Sequence, residues 1–401
     1  MAVNNMELTQ LSTVLASIVG QATGQAVLTP TDLSSFISVA QTGLKVGYDP
    51  LTTAISQVLS KTIFSVRPYT AKLKGLMVDS VRYGNHVRKL TTIDKPFEED
   101  DRIKLVDGQS IDQQKVNKPS VLQTNFYGAN VYQKSLTIYR DQLDVAFSGP
   151  EEFGRFISMI MQNASDMIEQ AHEETARMTI TNLIAGIAAQ EADGLTSGRA
   201  IHLLDIYQDE TGINLTSTTV RDPANFAPFA RWMFGYLKTL SERLTERSAL
   251  YHQNFTIDGV DYTVMRHTPI ERQKCYLYAP LLNSISSNVL STVFYDKYLQ
   301  LMDHENVSYW QSIQSGDSIS VTPSITGADG TIATATAQAL DNVFGVIFDE
   351  EAAGYTMINE WSASAPFNAR GGYTNIFWHF TDRYWNDFTE NAIVLLLDHA
   401  A

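Results

Sequence analysis

The chain has one cysteine, Cys275, in 401 residues. No intrachain disulfide can form, so stability must come from packing and subunit contact. No run reaches about 18 consecutive apolar residues, which excludes a transmembrane helix. The N-terminus, MAVNNMELTQ, lacks a basic stretch followed by an apolar one, so no secretory signal is expected. Positive charge is scarce: 29 Lys and Arg stand against 44 Asp and Glu, a net of −15. That balance argues against a dedicated nucleic-acid binder, which needs net positive charge to release counterions from phosphates. Charge of either sign is thin, at 18% against roughly 25% in a typical soluble domain. Much of the surface is therefore uncharged, as expected where partners cover it.

The positive charge that is present falls unevenly. Residues 61–140 hold fourteen Lys and Arg and eight Asp and Glu, a net of +6, while the other 321 residues net −21. Two arrangements satisfy this split. A basic arm can rest on the acidic body of another copy, where charge complementarity sets register. Equally, an ordinary basic loop can fold back on its own acidic domain.

Residues 1–50 carry only Glu7, Asp32, Lys45 and Asp49 as charges. Short amphipathic pieces at 8–18 and 33–39 suggest an arm of short helices that docks on something. Asp49-Pro50 starts a helix running to about Lys61. Residues 64–135 read as strands and loops broken at Pro68, Gly75, Gly84, Pro96, Gly108, Pro119 and Gly128. A segment this long with little apolar content cannot build its own core, so an excursion onto an acidic neighbour is expected, with Glu98 to Asp101 as a solvated tip. Ser148-Gly-Pro-Glu151 matches the S-x-x-E capping box. Apolar side chains from Phe153 to Ile187 then recur three or four apart, predicting a rod of about 38 residues, roughly 57 Å. A strand is expected at 200–207, a helix at 223–246, strands at 262–265 and 274–279, and a helix near 281–290. A hairpin turning at Asp329-Gly330 follows. Strands are expected at 343–348, 354–357, 376–380 and 392–397. From Asp341 onward nine acidic residues face two basic ones, Arg370 and Arg383.

Enzyme chemistry finds little support. His172-Glu173-Glu174 on the long helix would need a second His at 176, where Ala176 stands, so a solvated helix face is expected. Cys275 sits among Tyr276, Leu277 and Tyr278, the setting of a buried structural thiol despite His267 nearby. Gly327 to Thr331 lacks the lysine and following helix that phosphate binding requires. No G-x-S-x-G occurs. Asp349-Glu350-Glu351 and the pair Asp382 and Asp387 have no companion motif, so exposed loop acids are expected there. The C-terminal aromatics, including Trp361, Trp378 and Trp385, suit core packing better than a stacking platform. Arg67-Pro-Tyr69, Arg82-Tyr83 and His86-Val-Arg88-Lys89 interleave base and ring, which allows at most weak, salt-sensitive phosphate contact.

The order of parts resembles the major capsid proteins of tailed phages with the Hong Kong 97-type fold, most nearly those of short-tailed phages related to phi-29. The resemblance rests on 134–144, on SGPEEFGRFISMIMQNASDMIEQAHEETARMTITNLI at 148–184, on NVFGVIFDEEAAGYT at 342–356, and on 367–398. It implies an α+β fold with an N-arm at 1–65 and an extended loop at 66–140. It further implies a peripheral domain with a spine helix at 141–199 and 341–401, and an axial domain at 200–340. With the chain ending at Ala401, the immunoglobulin-like domain of some relatives is not expected, and no covalent cross-link is assigned. The family has no catalytic signature, so no enzyme activity, cofactor or metal is expected. The implied function is self-assembly, in pentamers and hexamers, of an icosahedral head enclosing double-stranded DNA. Scaffold, portal and decoration proteins would be partners, no membrane is involved, contact with packaged DNA would be weak, and assembly would take place in the bacterial cytoplasm. Candidate donors between subunits are Arg82, Arg88, Lys89, Arg102 and Lys104; candidate acceptors are Glu350, Glu351, Asp382, Asp387 and Glu390. An encapsulin-like compartment shell and a carboxylate-dependent hydrolase are the alternatives.

Overall fold

The computed structural model describes residues 8–47, 49–55, 73–78, 87–93, 99–112, 114, 120–126, 129–257, 259–288 and 304–400. Helices α1 (Leu8–Thr23) and α2 (Leu33–Val46) open it. The Asp32 carboxylate accepts from Ser35 N at 2.8 Å while the Ser35 hydroxyl accepts from Asp32 N, so α2 begins on a reciprocal cap. Residues 49–55 are helical; the expected end near Lys61 lies outside the described residues. These segments dock on their own chain. Phe36 meets Phe153 edge-on with centroids 5.7 Å apart, and Leu11 lies so close to Gly154 that an added Cβ would stand 3.1 Å from it.

A hairpin of β1 (Val87–Ile93) and β2 (Ser120–Phe126) pairs from Val87↔Phe126 to Ile93↔Ser120. Then come β3 (Ala129–Tyr139), α3 (Arg140–Ala146) and α4 (Pro150–Ala192). The rod α4 has 43 residues, about 65 Å at 1.5 Å each. The expected capping box is corrected: Gly149 occupies the cap position with no side-chain bond. The Ser148 hydroxyl instead donates to Val145 O at 2.6 Å, because α3 ends just before it and leaves carbonyls open. Pro150 holds the first helical position.

The rest of the chain builds two larger sheets around α4. Its elements are β4 (Ala200–His202), α5 (Leu203–Thr211), α6 (Pro223–Thr245), β5 (Phe255–Ile257), β6 (Val260–Tyr262), β7 (Gln273–Tyr278), α7 (Ala279–Asn288) and β8 (Glu305–Val307). Then follow β9 (Ile319–Val321), β10 (Ser324–Thr326), β11 (Ile332–Thr334), β12 (Gln338–Leu340), β13 (Val343–Asp349), β14 (Ala353–Ser364), β15 (Tyr373–Asn386) and β16 (Ala392–Leu396). A mixed sheet runs β4-β16-β13-β7-β8. One face, with Tyr276, Val346, Phe348 and Val394, packs on Ile180, Leu183, Ile184 and Ile187 of α4. The other, with Leu277, Phe344, Ile347 and Ile393, packs on Phe229, Met233 and Leu237 of α6. Burial on both faces explains why β13 and β16 read as unbroken apolar runs. The second sheet, β14-β15-β3, lays Ile138, Ile376, Trp378 and Phe380 in one core with Phe153, Ile157 and Ile160 from the first half of α4.

Several expectations change here. Residues 200–207 are a three-residue strand and then a helix, because Leu203, Leu204 and Tyr207 turn together into the α6 core. Strand 262–265 shifts to β6, and the short strands at 354–357 and 376–380 are the 12 and 14 residues of β14 and β15. The hairpin at Asp329-Gly330 is present, with Gly330 at φ 80° between β10 and β11. His172 and Glu173 are not solvated: both are buried, and Glu173 pairs with Arg177 at 2.6 Å.

At Gly186 an added Cβ would stand 2.4 Å from the Phe388 ring, whereas at Gly235 in α6 nothing lies within 4 Å. Gly186→Ala is expected to destabilise the subunit by about 1–3 kcal/mol, and Gly235→Ala to stabilise it by up to about 1 kcal/mol, in urea unfolding of unassembled protein. His252 donates from Nε2 to Val264 O at 2.6 Å, and burial pulls its pKa down from 6.5 to about 4. Its contribution is therefore complete above pH 6.5 and is lost as pH falls towards 4. That contribution is about 3 kcal/mol, read by unfolding across that window with NMR titration of the imidazole.

Candidate functional site

The basic segment is anchored at two roots. At the first, Met77 pairs in parallel with Tyr355, and Val78 N donates to Tyr355 O at 3.0 Å. Gly75 passes so near Glu305 Oε1 that a Cβ would meet it at 2.4 Å. The second root is β1. Strand periodicity turns Lys89 and Thr91 one way, half-buried, and Arg88 and Leu90 the other, exposed. Lys89 Nζ donates to Asp387 Oδ2 at 2.9 Å and to Glu390 Oε1, and lies 3.2 Å from Glu351 Oε2. Arg266 joins the same cluster, with Nη2 at 3.0 Å from Glu390 and donating to Thr91 Oγ1 at 3.2 Å. Thr389 closes it by donating its N–H and hydroxyl to Asp387 Oδ1.

Burial is the largest influence on Lys89 and pulls its pKa down, but Asp387 and Glu390 together outweigh it and hold it above 10.5. Burial also dominates at Glu390 and raises its carboxyl above 4.5, against the pull of Lys89 and Arg266. Lys89 is therefore charged throughout the neutral range. Beside the cluster a groove of about 630 Å³ runs between Met77, Arg88, Phe126, Lys274, Glu350 and Trp385.

Beyond the root, the tip at 99–112 pairs its charges locally. Arg102 pairs with Asp100, and Lys104 with Glu99 at 3.1 Å. Ile103 is 76% exposed and Val106 64%, with Leu105 and Ile111 also in the open.

The ten candidates thus part company. Arg82 lies outside the described residues. Arg88 stands on the outer face of the hairpin, and Arg102 and Lys104 sit at the tip. Glu350 and Glu351 are exposed and accept from Arg272, Glu350 at 2.8 Å. Asp382, Asp387 and Glu390 are corrected as surface acids: all three are buried. Asp382 accepts from the Tyr132 hydroxyl at 2.8 Å beneath α4. Asp387 and Glu390 already receive Lys89. For Lys89, then, the fold-back arrangement holds in this chain. Arg266 and Thr91 escape the sequence reading because nothing local marks them. The opposite directions of Arg88 and Lys89 were readable, since neighbours on a strand face apart. Among the described residues no three His, Cys, Asp or Glu side chains are placed to hold a metal, and Cys275 is a buried thiol.

A model of the Phi29-like phage major capsid protein family matches residues 16–396. The chain belongs to that family. Among solved structures it is similar to a capsid structure of Staphylococcus phage Andhra, at 10% identity and TM-score 0.50, covering 83% of this chain and 86% of that one. A structure of head fiber and inner core protein gp22 of native bacteriophage P68 matches with the same identity, TM-score and coverage. No curated protein matches by sequence. The fold is of the Hong Kong 97 type, and this major capsid protein is a structural component of the virion shell, where it assembles with itself; it is not an enzyme. The compartment and hydrolase alternatives find no support. No helix among the described residues is long and apolar enough to cross a membrane.

Removing the Lys89 cation strands two buried carboxylates, and losing one partner of such a cluster costs about 3–5 kcal/mol. Lys89→Met is expected to fall at the low end, about 3 kcal/mol, because Arg266 still reaches Glu390. The loss is read as a lower urea midpoint of the unassembled subunit, with Lys89→Arg recovering part of it.

Proposed function

We propose that this capsid protein builds an icosahedral head around double-stranded DNA by laying its basic arm, 66–140, across a neighbouring copy in five- and six-membered rings. The observation that carries the reading is the contrast within the arm. Its root is clamped by Lys89, while its tip leaves Ile103, Leu105, Val106 and Ile111 in water. Clustered exposed aliphatics of this kind mark an interaction surface. Arg88, Arg102 and Lys104 are the cations the arm offers a neighbour, and Glu350 and Glu351 the acids it would meet. The division into N-arm 1–65, extended loop 66–140, peripheral domain 141–199 with 341–401, and axial domain 200–340 fits this reading.

Exposed ion pairs contribute only about 0–1 kcal/mol each. Repeated around a ring, they hold a shell yet let wrong contacts break. An acidic wall repels phosphate, so contact with the packaged genome is weak and independent of sequence. Assembly in the bacterial cytoplasm with scaffold, portal and decoration proteins completes the proposal.

The test is Arg88→Glu combined with Arg102→Glu and Lys104→Glu. Reversing three exposed charges is expected to weaken the contact roughly tenfold. Shell formation in low salt, followed by light scattering and negative-stain microscopy, should slow accordingly, and high salt should narrow the gap. Particles forming at the normal rate in low salt would remove the arm from assembly.

A further inference from the structure

We infer that an aliphatic side chain from the arm tip of one subunit seats in a cavity beneath the spine helix of the next. This rests on the reading above that the arm reaches a second copy, and it names the seat. Between α4 and the β3–β15 pair lies an apolar cavity of about 130 Å³ walled by Tyr132, Met167, Ile168, Ala171, Trp378 and Phe380. Met167 remains 37% exposed there. An apolar cavity of ~150 Å³ holds one benzene, so this one takes a single branched aliphatic side chain. The tip supplies that chemistry: Ile103 and Val106 are its most exposed large apolar groups, three residues apart.

The edges agree as well. Lys134 borders the cavity together with Gln133, Gln170 and Glu174, and Asp101, two residues from Ile103, is opposite to Lys134 in charge. Their meeting would set the register of insertion. Knob and cavity lie on different parts of one chain, so the contact is head to tail. Such a contact closes into a ring when its rotation allows.

The experiment uses shells assembled from the full chain carrying Ile103→Cys with Ala171→Cys, and from a sibling with Val106→Cys in place of Ile103→Cys. Cys275 is buried and contributes no background. Mild oxidation should give a ladder of covalent multimers on a non-reducing gel, absent when Ala171→Cys is alone. Shells that form without a ladder in either pair overturn the inference and leave the proposed function standing. Failure of the unsubstituted chain to form shells would instead sink the proposed function. A second measurement covers cysteine variants that do not assemble. Ile103→Asp with Val106→Asp alters only exposed positions, so the subunit's unfolding midpoint should hold while shell yield falls at least roughly tenfold; an unchanged yield overturns the inference.

Discussion

Most of a protein helix's stability comes from packing its apolar face, not from propensity, so α4, with 43 residues, depends on cover along its length, and that requirement organises the molecule. Its first half shares a core with α1, α2 and the β14-β15-β3 sheet. Its second half shares another with the mixed sheet. One rod therefore sets where both sheets lie. The mixed sheet passes the order outward, because its far face is the floor for α5 and α6. Covering α4 on both sides also buries polar residues of its sequence, and Glu173 is tolerated there because Arg177 sits one turn on.

The arm obeys a different logic. Its roots are held by backbone pairing at Met77 and by a lysine set among acids. A buried carboxylate pair repels itself unless a cation lies between, and Lys89 supplies that cation with Arg266 beside it. The chain thus uses one basic residue to fix the arm's direction. At the tip, Arg102 and Lys104 pair with acids beside them, and a row of aliphatics stays exposed. Root and tip therefore differ: the root is paired within the chain, while the tip leaves Ile103, Leu105, Val106 and Ile111 exposed.

Much of this was legible in the residues. Long periodic segments were plain: α4 from its three-and-four spacing, α6 from its aromatic stripe, the turn at Asp329-Gly330 from its dipeptide. Element ends were less so. Ser148 carries a cap signature, but α3 claims its hydroxyl. Leu203 to Tyr207 are apolar enough for a strand, yet they meet α6 as a helix. The charge split between arm and body was also visible, though not which acids stay at the surface. Asp387 and Glu390 look like loop acids until Lys89, nearly 300 positions earlier in the chain, is seen between them.

Composition and periodicity by themselves determined the outline of the molecule: one long rod, runs of short strands, and a basic segment in an otherwise acidic chain. These depend on spacing and counts, which are local properties. Only the tertiary structure decided that Lys89 is consumed inside the chain, by Asp387 and Glu390. Burial and pairing across long sequence separations are set by how the sheets close around α4, and no local pattern records that closure.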